Sequence, residues 1–349
     1  MDTRVVGIDP HNIDHQQLKR AGALIRDGGL VAFPTETVYG LGANGLDADA
    51  VGRIFEAKGR PPDNPLILHI SCAGELDRLV KEVPQRALTL MDRFWPGPLT
   101  LIFKKSYLVP ETVTAGLDTV AIRMPSHPIA MNLIKYAGVP VAAPSANISG
   151  KPSPTRAAHV IRDLSGRVDM IIDGGDVTVG LESTVAEVTG EEVVILRPGG
   201  ITLEQIREVA RDVALDPAIE GDILRGVPKA PGMKYTHYSP EADVIIIEGH
   251  TQRVVAAIER MAQQLQEQGK RVGIMATEQT EALYRHGLVI SVGDREDPST
   301  IAAGLFAALR EFDALGIDVI LAEGIEQKGV GLAVMNRLLK AAAYHVIKA

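Results

Sequence analysis

The sequence predicts an α/β protein of two domains: an N-terminal mixed, twisted sheet with packed helices, and a smaller C-terminal Rossmann-like parallel α/β domain. Three observations support this prediction. The chain has 349 residues, enough for two domains of ordinary size. Strand-like runs outnumber helical stretches within 1–212, whereas strands and helices alternate evenly within 241–349. The segment between them, 213–240, has weak periodicity and reads as an interdomain linker.

The first domain opens with a helical stripe over 13–27, which a pair of glycines ends. The apolar run 30–33 predicts a strand, and 51–58 predicts a helix that ends at a glycine and two prolines. Further strands are predicted at 65–70, 98–103, 119–124, 139–144, 169–173, 183–188 and 192–197, and helices at 84–94, 127–137, 155–164 and 202–212. Because strands predominate and the last two are joined by a short turn, we expect a mixed sheet.

The second domain has a more regular pattern. Its predicted strands are 243–249, 271–277, 287–293 and 318–324, and its main predicted helices are 251–268, 300–313 and 331–347. Strand and helix alternation at even spacing is typical of a parallel sheet with helical crossovers. No glycine-rich phosphate loop follows these strands, so we assign no catalysis to this domain.

Composition excludes several classes of function. Acidic residues outnumber basic ones, 44 to 36, which gives a formal charge of −8 and argues against an extensive nucleic-acid surface. The single cysteine excludes an internal disulfide and any multi-cysteine metal site. No apolar stretch approaches the length of about 18 residues that a membrane span needs, and no signal peptide is evident. We therefore expect a cytoplasmic protein.

Common nucleotide and metal motifs are absent or weak. The sequence contains no G-x-x-x-x-G-K-[ST], so no P-loop is predicted. Residues 40–45, GLGANG, match the spacing of a dinucleotide fingerprint, but a long polar segment separates them from the preceding strand. We interpret them as a tight irregular loop. The nine histidines are scattered, so the metal ligands stay unknown.

Three unusual polar loops remain: FPTETVYGLGANG, KGRPPDNPLILHI and APSANISGKPSPT. Each has an ordinary explanation by itself, since Lys and Arg stabilise a helix C-terminus and Ser, Asn and Pro form turns. Together they supply Arg and Lys cations and several hydroxyl and amide donors, which is what a triphosphate requires. Binding sites in open α/β folds also lie at strand ends.

These loops, followed in order by WPGPLTLIF, AIRMPSHP, ESTV and ILRPG, resemble the YrdC-like domain of threonylcarbamoyl-AMP synthases. APGMKYTHYSP and GLAVMNRLLKAA resemble the linker and the end of the longer, two-domain members. The resemblance implies an enzyme that makes threonylcarbamoyl-AMP from L-threonine, bicarbonate or CO₂, and ATP with Mg²⁺, releasing pyrophosphate. It further implies that the product passes to a threonylcarbamoyl-transfer machinery that forms N6-threonylcarbamoyladenosine in tRNA.

The resemblance also implies the site residues. The catalytic pair is Lys58 and Arg60. The implied nucleotide-binding residues are Lys58, Arg60, Asn64, Thr119, Ser145, Asn147, Ser153, Arg197 and, in the linker, Tyr235. The implied threonine-binding residues are Thr37, His69, Arg123, Ala143 (through its backbone) and Ser183. Without the resemblance, His69 and Arg123 would be interpreted as a core histidine and an internal salt-bridge residue.

Two alternatives stay open at this point. One is a carbamoyl-AMP-forming relative of hydrogenase maturation, although the extra zinc-finger segments of such proteins do not fit a chain with one cysteine. The other is an RNA-binding module without catalytic activity. Its binding to bare tRNA would weaken steeply with salt.

Overall fold

The computed structural model describes residues 2–219 and 238–349, and their internal contacts divide them into two units. The first unit comprises 2–149 and 153–219, and the second comprises 150–152 and 238–349. Tyr235 and most of the predicted linker lie outside the described residues. No helix within the described ranges is long and apolar enough to cross a membrane.

Eleven strands in the described part of the first unit form one mixed sheet, in the order β1-β8-β2-β3-β7-β4-β6-β5-β9-β10-β11. The strands are β1 (Arg4–Gly7), β2 (Val31–Phe33), β3 (Gly40–Asn44), β4 (Ile67–His69), β5 (Leu99–Lys104), β6 (Thr119–Arg123), β7 (Val141–Ala142), β8 (Met170–Asp173), β9 (Thr184–Glu187), β10 (Val193–Arg197) and β11 (Val213–Leu215). Parallel pairs such as β4/β6 and antiparallel pairs such as β5/β6 both occur, which confirms the predicted mixed α/β class.

The helices of this unit are α1 (His15–Arg26), α2 (Ala48–Lys58), α3 (Leu76–Leu79), α4 (Gln85–Phe94), α5 (Glu111–Thr114), α6 (Pro128–Ala137), α7 (Ala157–Leu164) and α8 (Leu203–Val209). Helix α1 begins at Asp14, whose carboxylate accepts the N–H groups of Gln16 and Gln17. Its buried face packs against the apolar face of α6, in a core that includes Leu18 and Leu133. This packing covers one end of the sheet.

Two of the local sequence predictions are wrong. Residues 40–44, interpreted as part of an irregular loop, form β3, which pairs with both β2 and β7. Gly42 is needed there because a Cβ would meet Phe33 and Val141 side-chain atoms at 2.8 Å. The end of the predicted helix 331–347 is instead the strand β16 (Val346–Lys348), which pairs with the first strand of the second unit.

The second unit is a parallel sheet of five strands in the order β14-β13-β15-β12-β16. Its other elements are β12 (Asp243–Glu248), α9 (Thr251–Glu267), β13 (Val272–Ala276), β14 (Leu288–Ser291), α10 (Pro298–Ala314), β15 (Val319–Glu323) and α11 (Val330–Ala341). Every recorded strand pair in this sheet is parallel. The predicted Rossmann-like parallel arrangement is therefore confirmed.

Candidate active site

A row of polar side chains crosses three adjacent strands in the centre of the first sheet. His69 in β4 lies opposite Arg123 in β6, and Arg123 lies opposite Thr100 in β5. Directly paired residues project from the same face of a sheet. All three side chains are buried. Buried polar groups need hydrogen-bond partners, and the loops around the row supply them.

Arg123 is held by the turn between β2 and β3. Its Nη1 donates to Thr37 Oγ1 at 2.9 Å and its Nη2 donates to Glu36 Oε1 at 2.6 Å. Its Nε donates to the carbonyl oxygen of Gly97 at 3.3 Å. Contacts on all three nitrogens fix the orientation of a planar guanidinium, which suits bidentate recognition of a carboxylate.

Burial and charge set the protonation states in this row. Burial, and then the positive charge of Arg123, lower the pKa of His69 to about 3, so its imidazole is neutral at physiological pH. Its Nδ1 lies 3.2 Å from the carbonyl oxygen of Ile67, and the backbone of Val141 also contacts the ring. Burial by itself raises the pKa of Glu36, but the charge and hydrogen bond of Arg123, together with the backbone N–H groups of Glu36 and Ser126, outweigh it, and the net pKa lies below the usual value. Glu36 and Arg123 are therefore a charged pair beside a neutral ring.

Ser183 and Arg197 extend the row on the far side of β5. The hydroxyl groups of Thr100 and Ser183 lie 2.8 Å apart. Arg197 donates from Nε to the carbonyl oxygen of Ser183 at 3.1 Å, and from Nη2 to its hydroxyl at 3.2 Å. The neighbouring Glu182 accepts a hydrogen bond of 2.5 Å from Ser153. The predicted residues Ser153, Ser183 and Arg197 thus lie close together.

Lys58 connects α2 to the loop that follows β7. Gly59 ends the helix in the left-handed conformation, with φ of 62°, so Lys58 is the last helical residue. The Lys58 ammonium donates to the carbonyl oxygens of Ser145 and Asn147 at 2.5 Å each. The Ser145 hydroxyl donates to Asn147 Oδ1 at 2.6 Å. Three predicted nucleotide-binding residues therefore form one hydrogen-bonded group, in which the lysine orders the loop.

Arg60 shapes the extended segment after α2. Its Nε donates to the carbonyl oxygen of Asn64 at 3.3 Å and its Nη2 to that of Pro65 at 3.0 Å. The segment leads into β4, where the Ala143 N–H donates to the Ile67 carbonyl at 3.0 Å. The backbone of Ala143 thus lies beside the strand that carries His69, as a backbone-mediated contact to a ligand near His69 requires.

One predicted residue lies apart from these groups. Thr119 is the first residue of β6 and Arg123 the last, a separation of roughly 13 Å along an extended strand. Within the described ranges, no hydrogen bond joins Thr119 to the other predicted residues.

Three residues near the site were not predicted: Glu36, Thr100 and Glu182. The signal for Glu36 was present, because a carboxylate between two threonines in the loop after a strand is an unusual pattern. Thr100 gave no signal, since it lies inside an apolar strand run and only the β5/β6 register places it beside Arg123.

Two family models match this chain, one in its N-terminal part and one in its C-terminal part. A family model described as "Telomere recombination" (Sua5, YciO and YrdC) matches residues 23–199, and one described as "Threonylcarbamoyl-AMP synthase, C-terminal domain" matches 201–343. The threonylcarbamoyl-AMP synthase of Pyrococcus abyssi is 53% identical, over 96% of this chain and 97% of the relative. That of Bacillus subtilis is 51% identical, over 97% of each. The crystal structure of P. abyssi Sua5 complexed with L-threonine superposes with a TM-score of 0.95 at 52% identity, covering 99% of this chain and 100% of that one.

Proposed function

Because this chain belongs to the threonylcarbamoyl-AMP synthase family, we propose that it makes threonylcarbamoyl-AMP from L-threonine, bicarbonate or CO₂, and ATP, and releases pyrophosphate. The sequence-based prediction of the family and of an enzyme is confirmed by relatives more than 50% identical over nearly the full chain. The observation that most supports the proposal is the buried His69–Arg123–Thr100 row, which places a fixed guanidinium among hydroxyl groups and a neutral imidazole.

The row provides what an amino-acid substrate needs. The oriented guanidinium of Arg123 pairs with the threonine carboxylate. Thr37, His69 and Ser183 offer hydroxyl and imidazole contacts to the remainder of the molecule. The resident polar groups are mostly bonded to one another, so the substrate finds donors and acceptors that are already oriented. Pre-orientation of this kind lowers the entropic cost of reaching the transition state.

The chemistry proceeds in two steps. Threonine ammonium and bicarbonate combine to give the N-carboxylate of threonine, water and a proton. An oxygen of this carboxylate then attacks the α-phosphorus of ATP, and the bond to the pyrophosphate leaving group breaks. Neither step requires a covalent enzyme intermediate, so the protein contributes positioning and charge neutralisation. Arg60, Arg197 and the loop that Lys58 orders are the groups we assign to the nucleotide.

We propose Mg²⁺ as the ion that accompanies ATP. The described residues contain no group of three or more His, Cys, Asp or Glu that could hold a metal. Mg²⁺ commonly keeps several waters and binds through substrate phosphates, which suits a site of this composition. When bound, it neutralises phosphate charge. The proposal also includes a cytoplasmic location and transfer of the product to a partner enzyme that modifies tRNA.

The test is pyrophosphate release by the full chain with ATP, Mg²⁺, threonine and bicarbonate. We expect release that depends on both threonine and bicarbonate, and product formation detected by mass spectrometry. Arg60→Met is expected to lose most turnover, whereas Arg156→Met, at an exposed ion pair with Asp176, is the matched control that keeps it. Release that is independent of threonine would contradict the proposal, and activity only with carbamoyl phosphate would favour the hydrogenase-maturation alternative. Salt-sensitive binding of bare tRNA without turnover would favour the RNA-binding alternative.

A further inference from the structure

Glu36 has one bonded and one free carboxylate oxygen. Oε1 accepts the hydrogen bond from Arg123 Nη2 at 2.6 Å. Oε2 is buried and has no hydrogen-bond partner among the described residues. The whole residue is only 7% exposed. A buried charged oxygen without a donor costs free energy, and such groups in native proteins need an explanation.

The groups around Glu36 leave its charge available for a ligand. The only cation that bonds to its carboxylate in the described chain is Arg123. The two nearby histidines do not contribute positive charge, because burial lowers the pKa of both His69 and His127. The backbone N–H groups of Glu36 itself and of Ser126 lie near enough to favour the charged carboxylate, yet no donor among the described residues meets hydrogen-bond geometry at Oε2.

We propose that Glu36 is a specificity-determining residue whose Oε2 accepts a hydrogen bond from the α-ammonium group of the amino-acid substrate. The inference rests on the proposed function and names a contact within it. Arg123 and Glu36 present a positive and a negative group side by side, since their charged atoms lie 2.6 Å apart. A zwitterionic amino acid presents the complementary pair, a carboxylate and an ammonium, on one carbon atom.

The charge balance explains why the acid is needed. With Arg123 alone the site would attract any small carboxylate, including those without an amino group. With Glu36 present, the Arg123–Glu36 pair has no net charge. A bound anion without an ammonium group then places its negative charge beside the buried, negatively charged Oε2, and this repulsion weakens its binding. Glu36 therefore favours amino acids over their deaminated analogues. Its role is to bind the ammonium, because the low pKa makes it a poor acceptor of the proton itself.

The experiment compares two ligands by isothermal titration calorimetry on the full chain. The ligands are L-threonine and 3-hydroxybutanoate, which is threonine without its amino group. The variant is Glu36→Gln, which keeps an oxygen for Arg123 but replaces the charged oxygen with an N–H donor. The matched control is Glu82→Gln, which alters a carboxylate that is 65% exposed on the same unit. Circular dichroism and thermal unfolding check that each variant is folded.

We expect wild type and Glu82→Gln to bind threonine at least tenfold more tightly than 3-hydroxybutanoate, the loss expected for one hydrogen bond to a charged group. In Glu36→Gln the threonine affinity should fall at least tenfold, whereas the affinity for 3-hydroxybutanoate should stay the same or rise because the opposing negative charge is gone, so the preference disappears. A loss of structure alone would weaken both ligands together.

Two results overturn the inference: a wild-type preference below tenfold, or an undiminished preference in folded Glu36→Gln. If Glu36→Gln does not fold, a wild-type preference below tenfold still overturns the inference. Pyrophosphate release is measured on the same preparations. If pyrophosphate release depends on threonine but either of those two binding results is found, only the role of Glu36 is overturned. If the chain neither binds threonine nor releases pyrophosphate, the proposed function is overturned as well.

Discussion

Replacement of Lys58 by methionine tests how the site is held together. The side chain is only 1% exposed, and its ammonium donates to the carbonyl oxygens of Ser145 and Asn147 at 2.5 Å each. Methionine keeps nearly the same length and removes both the charge and the donors. The loop that follows β7 therefore loses two of its hydrogen bonds to the end of α2, while the one from the Ser149 N–H to the Lys58 carbonyl oxygen remains.

The magnitude follows from the two carbonyl groups. Each buried acceptor left without a donor costs about 1–3 kcal/mol. Because the loop can relax and water can reach one of the two oxygens, we expect Lys58→Met to lower the free energy of unfolding by about 2–4 kcal/mol. Displacement of the loop by an ångström should also reduce turnover about a hundredfold.

Lys135→Met is the matched control. Lys135 also lies in the last turn of a helix, α6, but its side chain is exposed. Both variants lose the favourable interaction of a cation with a helix C-terminus, so the difference between them isolates the buried hydrogen bonds. The single tryptophan, Trp95, is buried in the first unit, so its fluorescence during urea unfolding reports on that unit. Equal stability and equal pyrophosphate release in the two variants would refute this reasoning.

Three further predictions concern the same unit. The pKa of His69 in the folded chain, about 3, lies below the ordinary value of 6.5, so the unfolded chain binds the proton first and stability falls as the pH drops through this window. Between pH 6.5 and about pH 5 wild type should lose about 1.6 kcal/mol more than His69→Gln, measured by urea unfolding at each pH. Arg123→Met leaves Glu36 buried without its cation and should cost about 3–5 kcal/mol in the same assay; a loss below about 1 kcal/mol, on the order of an exposed pair, would show that the pair is solvated. Gly22→Ala should destabilise the folded chain by about 1–3 kcal/mol, since its Cβ would lie 2.7 Å from backbone atoms of α6. Gly52→Ala in α2 should stabilise the chain, because no atom lies within 4 Å of the added Cβ. The thermal unfolding temperatures of the two variants should therefore shift in opposite directions.

Local sequence patterns determined the long elements of this protein. Helix α4 was predicted at 84–94 and spans Gln85–Phe94, because its apolar residues recur at helical spacing and a proline precedes it. The regular alternation after residue 241 likewise indicated a parallel sheet. Elements without such a pattern were missed. The strand β3 is rich in glycine, a residue that favours turns, and it is a strand because β2 and β7 pair with it on both sides.

The sequence by itself also determined the family and nominated the site residues through its ordered loops. Only the tertiary structure decided which of them meet. Arg123 bonds to Thr37 and Glu36 across 86 and 87 positions of the chain, and Lys58 reaches Ser145 across 87. The physical reason is strand register: the pairing of β4, β6 and β5 sets His69, Arg123 and Thr100 side by side. Register depends on contacts between distant segments, and no local pattern in the chain specifies it.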